Sequence, residues 1–241
     1  MARFRTTKPA DIMNILPEAD NHSPKAHKKE VVLVFCAHND DQILGVGGTI
    51  AKYAREGKEV IVVIMSYGET THLWLKRQEA VKMRVSESRK SDKIFGVKKT
   101  YYFGLTEGKF EEQFENKELY KKMKALISII RPSKIFTHSF DDPHRDHKAV
   151  YNIVMRVMDD IDYVCDVYSF DIWNPFNIRK RDSPKLVVDI TDTFKLKIKA
   201  FRLHKSQWMT KLIMLPLTYI RAMANGLNRE VRYAEVFYKL K

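Results

Sequence analysis

Cysteine is almost missing from this chain: Cys36 and Cys165 are the two among 241 residues, and no C-x-x-C pair exists. That excludes a disulfide framework and a zinc ribbon. Cys36, inside an apolar run, reads as a small core residue. No stretch approaches the roughly 18 apolar residues of a membrane span. The N-terminus MARFRTTKPADIMNILPEAD has no apolar h-region, so no secretory signal is expected. Reduced cysteines without an address predict a cytoplasmic protein. G-x-x-x-x-G-K-[ST], H-E-x-x-H and G-x-S-x-G are also lacking. GVGGT at 45–49 fails the dinucleotide fingerprint, because Ile50 stands at the last glycine position and an acidic turn precedes it. Acid is short relative to base, 30 residues against 43, for a formal net charge of +13 and a pI near 9.6. Such a balance favours anionic partners. The basic residues are spread along the chain, so a lysine-rich solvated surface is preferred and no nucleic-acid partner is expected.

What is present suits one α/β domain. The length is ample for a core, and 44% hydrophobic with 30% charged residues fits a globular protein. Residues 1–29 read as an N-terminal leader and 30–241 as a single domain. VVLVFC (31–36) is a continuous apolar run, as a strand buried on both faces requires, and a helix is expected from about Gln42. Gly45, Gly47 and Gly48 inside that helix imply a close approach to another backbone. Further strands are predicted at 59–65, 100–104, 134–138, 163–173 and 185–190. Helices are predicted at 73–95, ending at Gly96, at 118–130, stopped by Pro132, and at 147–160. Another is expected over 191–207 with Thr191 or Asp192 as N-cap; 231–241 fits either a helix or a strand. The strand–helix alternation argues for a doubly wound, mostly parallel sheet, Rossmann-like, in three α/β/α layers. Sites in such sheets form beyond the carboxyl ends of the strands.

Two polar clusters sit at such ends. His38, Asp40 and Asp41 follow the first strand, and HSFDDPHRDH (138–147) follows the 134–138 strand. His38 and Asp41, three apart across a strand-to-helix turn, can bite one metal ion while Asp40 stands beside it. The plain alternative, an aspartate capping the helix, explains one carboxylate but not the pair plus a histidine. His147, opening a helix, can supply a third ligand, and a His/Asp/His set with an open position fits a catalytic zinc site. Asp146 can orient His144 or a neighbour by accepting its ring N–H; its alternative is a capping aspartate in a polar loop. His138, Asp141 and Asp142 read as satisfied loop residues rather than ligands, and His204 as structural.

AHNDDQ (37–42) and His144-Arg145-Asp146-His147 resemble the two signatures of the LmbE-like, or PIG-L-type, metal-dependent N-acetylglucosaminyl deacetylases. Weaker echoes follow in order: Arg84 with Glu87, GLTEG (104–108), the 189–207 segment ending H-x-S-Q, and YAE (233–235). The resemblance implies the LmbE-like deacetylase fold. It implies His38, Asp41 and His147 as ligands of zinc, or of another divalent ion such as Fe2+, and Asp40 as general base. His144 would protonate the leaving amine or steady the oxyanion, Asp146 would orient the histidine, and Arg84 would line the substrate pocket. The implied partner is a small amino-sugar conjugate, and a homo-oligomer is in keeping with the family. Asn39 replaces the usual proline, which costs turn rigidity; Gln42 replaces the usual glutamate, which keeps hydrogen-bonding capacity but loses a charge near the site and puts its tuning and substrate choice in question. The rival readings are a metal-dependent hydrolase of another amide or ester, and a non-catalytic sugar- or lipid-binding member.

WMTKLIMLPLTYIRAMA (208–224) is apolar on more than one face, with Pro216 in its middle. The preferred reading is a core or subunit-interface helix broken at Pro216. The alternative is an exposed flap, or a surface resting on lipid beside Lys205, Lys211 and Arg221.

Overall fold

The computed structural model describes residues 29–69, 76–174, 183–227 and 229–241. The expected leader therefore lies outside the described residues, except for Lys29. In chain order the elements are β1 (Val31–Cys36), α1 (Asp41–Arg55), β2 (Glu59–Ile64), α2 (Arg77–Phe95), β3 (Lys99–Tyr102), α3 (Phe110–Phe114), α4 (Lys117–Ile130), β4 (Lys134–His138), α5 (Arg145–Asp159), β5 (Asp166–Phe170), β6 (Lys185–Asp189), α6 (Phe194–Leu203), a 3-10 turn (Lys205–Gln207), α7 (Trp208–Leu227) and β7 (Ala234–Lys239).

The strands form one sheet in the order β3-β2-β1-β4-β5-β7-β6. The first five run parallel; β7 lies antiparallel between β5 and β6. Alternate residues of β1 serve opposite layers, as the two-residue period of a strand requires. Val32, Val34 and Cys36 join the core under α1, α2, α6 and α7, whereas Leu33 and Phe35 join the core under α3, α4 and α5. The sheet is thus buried on both faces, which is why β1 carries no polar residue. From β1 the chain winds outward to β3, then returns to place β4 on the other side of β1. The crevice between the carboxyl ends of β1 and β4 is the switch point at which such sheets bind ligands.

The three glycines of α1 do allow a close approach, but to side chains rather than to another backbone. A Cβ at Gly45 would stand 2.2 Å from the Phe170 ring, and one at Gly48 would stand 2.7 Å from Ile190.

Several element boundaries differ from the sequence reading. Helix α2 begins at Arg77, with Lys76 extended before it; the expected start at Leu73 falls outside the described residues. Helix α5 begins at Arg145, with His144 at the N-cap, so His147 lies in the first turn instead of opening the helix. Helix α6 is shorter than 191–207 and its N-cap position is Thr193, because Thr191 is held by Asp189 and the Thr193 hydroxyl donates to Gly48 O. The short helix α3 was not anticipated. Helix α7 runs unbroken through Pro216. The carbonyl that a proline orphans is the one four residues back. Here that residue is Leu212, 74% exposed, so water can satisfy its carbonyl and no break is forced.

Candidate metal centre and catalytic pocket

The turn between β1 and α1 is built around its own acids. Asp40 occupies the N-cap position of α1 but makes no side-chain capping bond. Its Oδ1 instead accepts from Arg84 Nη2 at 3.0 Å, a buried pair reaching across from α2. Gly68, at φ +76°, leaves the room Arg84 needs, since a Cβ there would stand 2.6 Å from the Arg84 side chain. Asp41 Oδ2 accepts the His38 N–H at 2.7 Å, which closes the turn. Asn39, at the position of the expected proline, is tied at both ends: its amide donates to Tyr67 O and its oxygen accepts from the Tyr102 hydroxyl, each at 2.9 Å. Gln42 points away from the pocket and donates to Ser88 Oγ at 3.2 Å.

Strand β4 and the start of α5 bring the second cluster against the first. His38, Asp41 and His147 each offer a ligand atom, all within 4.8 Å of one another. Each histidine has a carboxylate on its far nitrogen. His38 Nε2 lies 3.2 Å from Asp146 Oδ2, while its Nδ1 faces Asp41 at 3.6 Å. His147 Nδ1 lies 3.1 Å from Asp142 Oδ2, while its Nε2 faces Asp41 at 3.4 Å. A carboxylate that takes one ring N–H fixes the tautomer and leaves the other nitrogen's lone pair for an ion. Asp142, read from sequence as a satisfied loop residue, faces His147 as Asp146 faces His38, but as an ion-pair neighbour outside hydrogen-bond alignment. His144 is held differently: its Nδ1 accepts the Asp146 backbone N–H at 3.2 Å, so the neutral ring carries its proton on Nε2. His138, at the end of β4 and not in a loop, is buried; its Nε2 accepts the Ala37 N–H at 3.1 Å and its ring stacks on His147 at 3.9 Å.

Among the described residues, two other groupings have metal-like spacing, His38/His144/Asp146 and His138/Asp142/His147. Both contain a histidine–carboxylate pair already in direct contact. Only in the His38/Asp41/His147 set do all three residues border the pocket, a cavity of about 210 Å3 lined also by Asp40, Arg84, Glu107 and His144. Glu107 was noticed in the sequence only within a weak echo. Its carboxylate accepts from Ser66 Oγ at 3.3 Å and comes within 4.0 Å of His38, and the next residue, Gly108, donates its N–H to Asp146 at 2.8 Å.

Charge balance argues that a divalent ion fits. Burial alone would lower the pKa of His38, but the carboxylates of Asp146 and Asp41 outweigh it and hold it at about 10. Burial opposes, and Asp41 and Asp142 raise, the pKa of His147 to about 9. Asp41 would be raised by its burial, yet His147 and His138 pull it well below the ordinary carboxylate range. Burial and the charge on His147 push His138 down to about 4 and lower His144 as well. The buried acids thus recruit protons onto two imidazoles. An ion bearing two positive charges on His38, Asp41 and His147 replaces those protons without adding charge, and binding would release them.

The remaining echoes form a clasp behind the pocket. Glu87 accepts from Ser206 N and Oγ at 3.0 and 2.5 Å, and Ser91 Oγ lies 3.0 Å from His204 Nε2. Glu235 on β7 pairs with Lys197 at 2.6 Å and accepts from Gly48 N and Thr49 N of α1; Lys197 donates to Leu44 O.

A family model described as PIG-L: GlcNAc-PI de-N-acetylase matches residues 33–158, just over half of the chain. The chain belongs to the PIG-L family. The match spans both polar clusters and the whole switch point. Among curated proteins, it is 27% identical over 226 residues to a diacetylchitobiose deacetylase from Thermococcus kodakarensis, covering 85% of this chain and 80% of that one. An uncharacterized deacetylase, YaiS of Escherichia coli, is 28% identical over 75% of this chain and 94% of its own length. The N,N'-diacetylchitobiose deacetylase of Pyrococcus horikoshii superposes with a TM-score of 0.73 at 27% identity, covering 88% and 84% of the two chains. A 4-carboxy-2-hydroxymuconate hydratase from Pseudomonas putida shares the fold, with a TM-score of 0.76 at 20% identity. The PIG-L fold thus carries more than one chemistry, and function must be argued from the pocket.

Proposed function

We propose that this PIG-L family protein is a metal-dependent hydrolase that removes the acetyl group from an N-acetylated amino-sugar conjugate. The observation that carries this reading is the meeting of His38, Asp41 and His147 with Asp40 and His144 around one small pocket. The similarity to diacetylchitobiose deacetylases supports an N-acetylated sugar as substrate. The pocket's 210 Å3 is smaller than the roughly 300–1,000 Å3 of drug-sized sites, in keeping with one sugar ring and its acetamide.

A divalent ion held by His38, Asp41 and His147, for which a His/Asp/His set favours zinc, would supply a Lewis acid that polarises the acetyl carbonyl and acidifies water. Asp40 takes the proton of the attacking water. Arg84 occupies its Oδ1 and fixes the carboxylate, leaving Oδ2 for that proton. His144 directs its Nε2–H to the oxygen or nitrogen of the scissile amide, where negative charge grows as water adds to the carbonyl carbon. The C–N bond then breaks to give acetate and the amine, which takes up the proton. Asp146 and Asp142 position the two ligand histidines and take no part in the proton transfers. Arg84, expected to touch substrate, reaches the pocket while spending one donor on Asp40, so it links substrate binding to the base.

The test is acetate release from a panel of N-acetylglucosamine conjugates by metal-quantified protein, before and after chelation. Release that vanishes on chelation and returns with zinc is expected. Bound metal with no acetate from any conjugate would refute the assigned reaction, and no bound metal at all would refute the site.

A further inference from the structure

Helix α7 turns its apolar residues the wrong way for a core helix. Its inner face is small and buried: Met214, Thr218, Ala222 and Gly226. Its outer face carries Trp208, Met209, Leu212, Ile213, Ile220 and Met223, each between 50% and 74% exposed. Single exposed apolar residues need no explanation, but a row at helical spacing along about four turns does. No helix among the described residues is long and apolar enough to cross a membrane, so this face does not belong to a span.

The charge around it is one-sided. From Thr193 to Arg229 the sequence has no aspartate or glutamate and eight lysines and arginines; Lys197 is paired with Glu235 and Arg221 with backbone carbonyls, which leaves six for the fringe, and the exposed Asp192 and Glu230 flank the stretch. A groove of about 640 Å3 flanks α7, with Tyr219 of the helix on one wall and Lys195, Lys199, Arg202 and Arg232 around it. Tyr233 in that groove stacks on Phe194 at 3.9 Å. The groove therefore combines cations with an aromatic floor and borders the exposed row, since Tyr219 and Met223 are four apart and neighbours on a helix surface.

We propose that the outer face of α7, with this basic groove, docks the protein on an anionic lipid bilayer. A helix of this kind lies in the interface plane, its apolar side among acyl chains and its basic fringe among anionic headgroups. A second copy of the chain is the poorer occupant. A two-fold contact sets the same patch against itself, so the basic fringe would meet its own like charges with no acid between 193 and 229 to answer them. The docking also sits beside the pocket. Gln207, which ends the 3-10 turn before α7, and Thr210, in the first turn of α7, line it. Thr210 is three residues from the exposed Ile213. Arg221, further along the same helix, holds the Asp171 and Ile172 carbonyls of the loop whose Ile172 and Trp173 form another wall. A bilayer seated on α7 would bring its surface to the mouth of the pocket.

The experiment is co-sedimentation of the full chain with vesicles of phosphatidylcholine, with and without one third phosphatidylserine, at low and high salt. It needs no activity and stands apart from the proposed reaction. Binding to the anionic vesicles alone is expected, weakened by salt as exposed charges are screened. Leu212→Ser/Ile220→Ser and, separately, Lys199→Glu/Arg202→Glu should each lower the partition coefficient at least about tenfold, each basic residue being worth roughly fivefold at the surface. All four residues are exposed, so the fold should survive, as circular dichroism will check. Lys117→Glu/Lys121→Glu on α4, in the layer across the sheet, should leave binding unchanged. Equal loss from the α4 pair would reduce the effect to net charge and overturn the proposal. So would no binding, or equal binding to both vesicle types. Lipid-free sedimentation velocity that shows a dimer abolished by Leu212→Ser/Ile220→Ser would give the face to a second copy instead.

Discussion

Replacing Asp142 by asparagine tests the site at a residue that touches neither substrate nor the proposed ion. The Asp142 carboxylate makes three contacts: Oδ1 accepts the His144 N–H at 2.9 Å, and Oδ2 meets His147 Nδ1 at 3.1 Å and the Trp173 N–H at 3.4 Å. Asparagine has the same shape but one oxygen. If that oxygen stays on His147, the amide NH2 opposes the His144 N–H, donor against donor, and the start of α5 loosens. If it turns to His144, the NH2 faces His147 Nδ1, which must then accept, and the ring proton moves to Nε2. That is the nitrogen 3.4 Å from Asp41 and the one offered to the ion. Either way one interaction is lost. Changes to residues that orient metal ligands cost about 10–100-fold in affinity, or roughly 1.4–2.7 kcal/mol. Zinc affinity measured by competition with a chromophoric chelator should fall by that factor in Asp142→Asn protein whose near-ultraviolet dichroism shows it folded. Affinity within twofold of the parent would mean that His147 is not a ligand or needs no orienting, and the assignment of the centre would be wrong.

Asp40→Asn should lower acetate release by about 10²–10⁴-fold while bound metal is retained, because a general base is lost and a ligand is not; turnover near the parent rate would exclude Asp40 as the base. Glu235→Gln should cost about 3–5 kcal/mol in urea unfolding, since it strands the buried Lys197 charge. In a cycle with Lys197→Met, the coupling should exceed about 2 kcal/mol, and additive effects would show that the pair is not a unit. Asp92 has its pKa raised from 3.8 to about 6, chiefly by burial, despite the Thr100 hydroxyl it accepts. Its folded pKa exceeds the unfolded one, so its ionisation opposes folding. The penalty is absent below about pH 4, grows between pH 4 and 6 and stays constant above, up to roughly 3 kcal/mol. Asp92→Asn should therefore gain on the parent as pH rises through that window, and a pH-independent difference in unfolding midpoint would contradict it.

The features legible in the sequence were those carried by local chemistry. An unbroken apolar run of six residues rich in valine reads as a strand covered on both faces, and β1 is one. An acidic turn with a histidine after such a strand reads as chemistry, and the two clusters meet because the strand order reverses at β1, which sets the parallel β4 beside it. What was not legible depends on distant partners. Asp142 looked like a loop residue because its value comes from the return of the chain onto His147. Gln42 suggested an altered charge at the pocket, yet it points to Ser88 on α2. Asn39 suggested a looser turn, but Tyr67 and Tyr102, from later segments, hold it on both sides. Proline 216 signalled a break, and only its place on the outer face explains why none occurs.

The order of the last strands sets a timetable for synthesis. β7 pairs with β5 on one side and with all five residues of β6 on the other, yet it is made after both. While a ribosome is still extending the chain through α7, β6 has no neighbour strand and the edge of β5 is open, a row of unpaired amides and carbonyls prone to pairing with another nascent chain. Lys197 is at that stage a cation awaiting Glu235. The parallel half is in a different position: His38, Asp41, Asp142 and His147, with the four strands β1 to β4 that position them, are complete before β5 begins. An ion captured then would hold the two halves of that crevice together and leave β7 to close the sheet as the final act of folding.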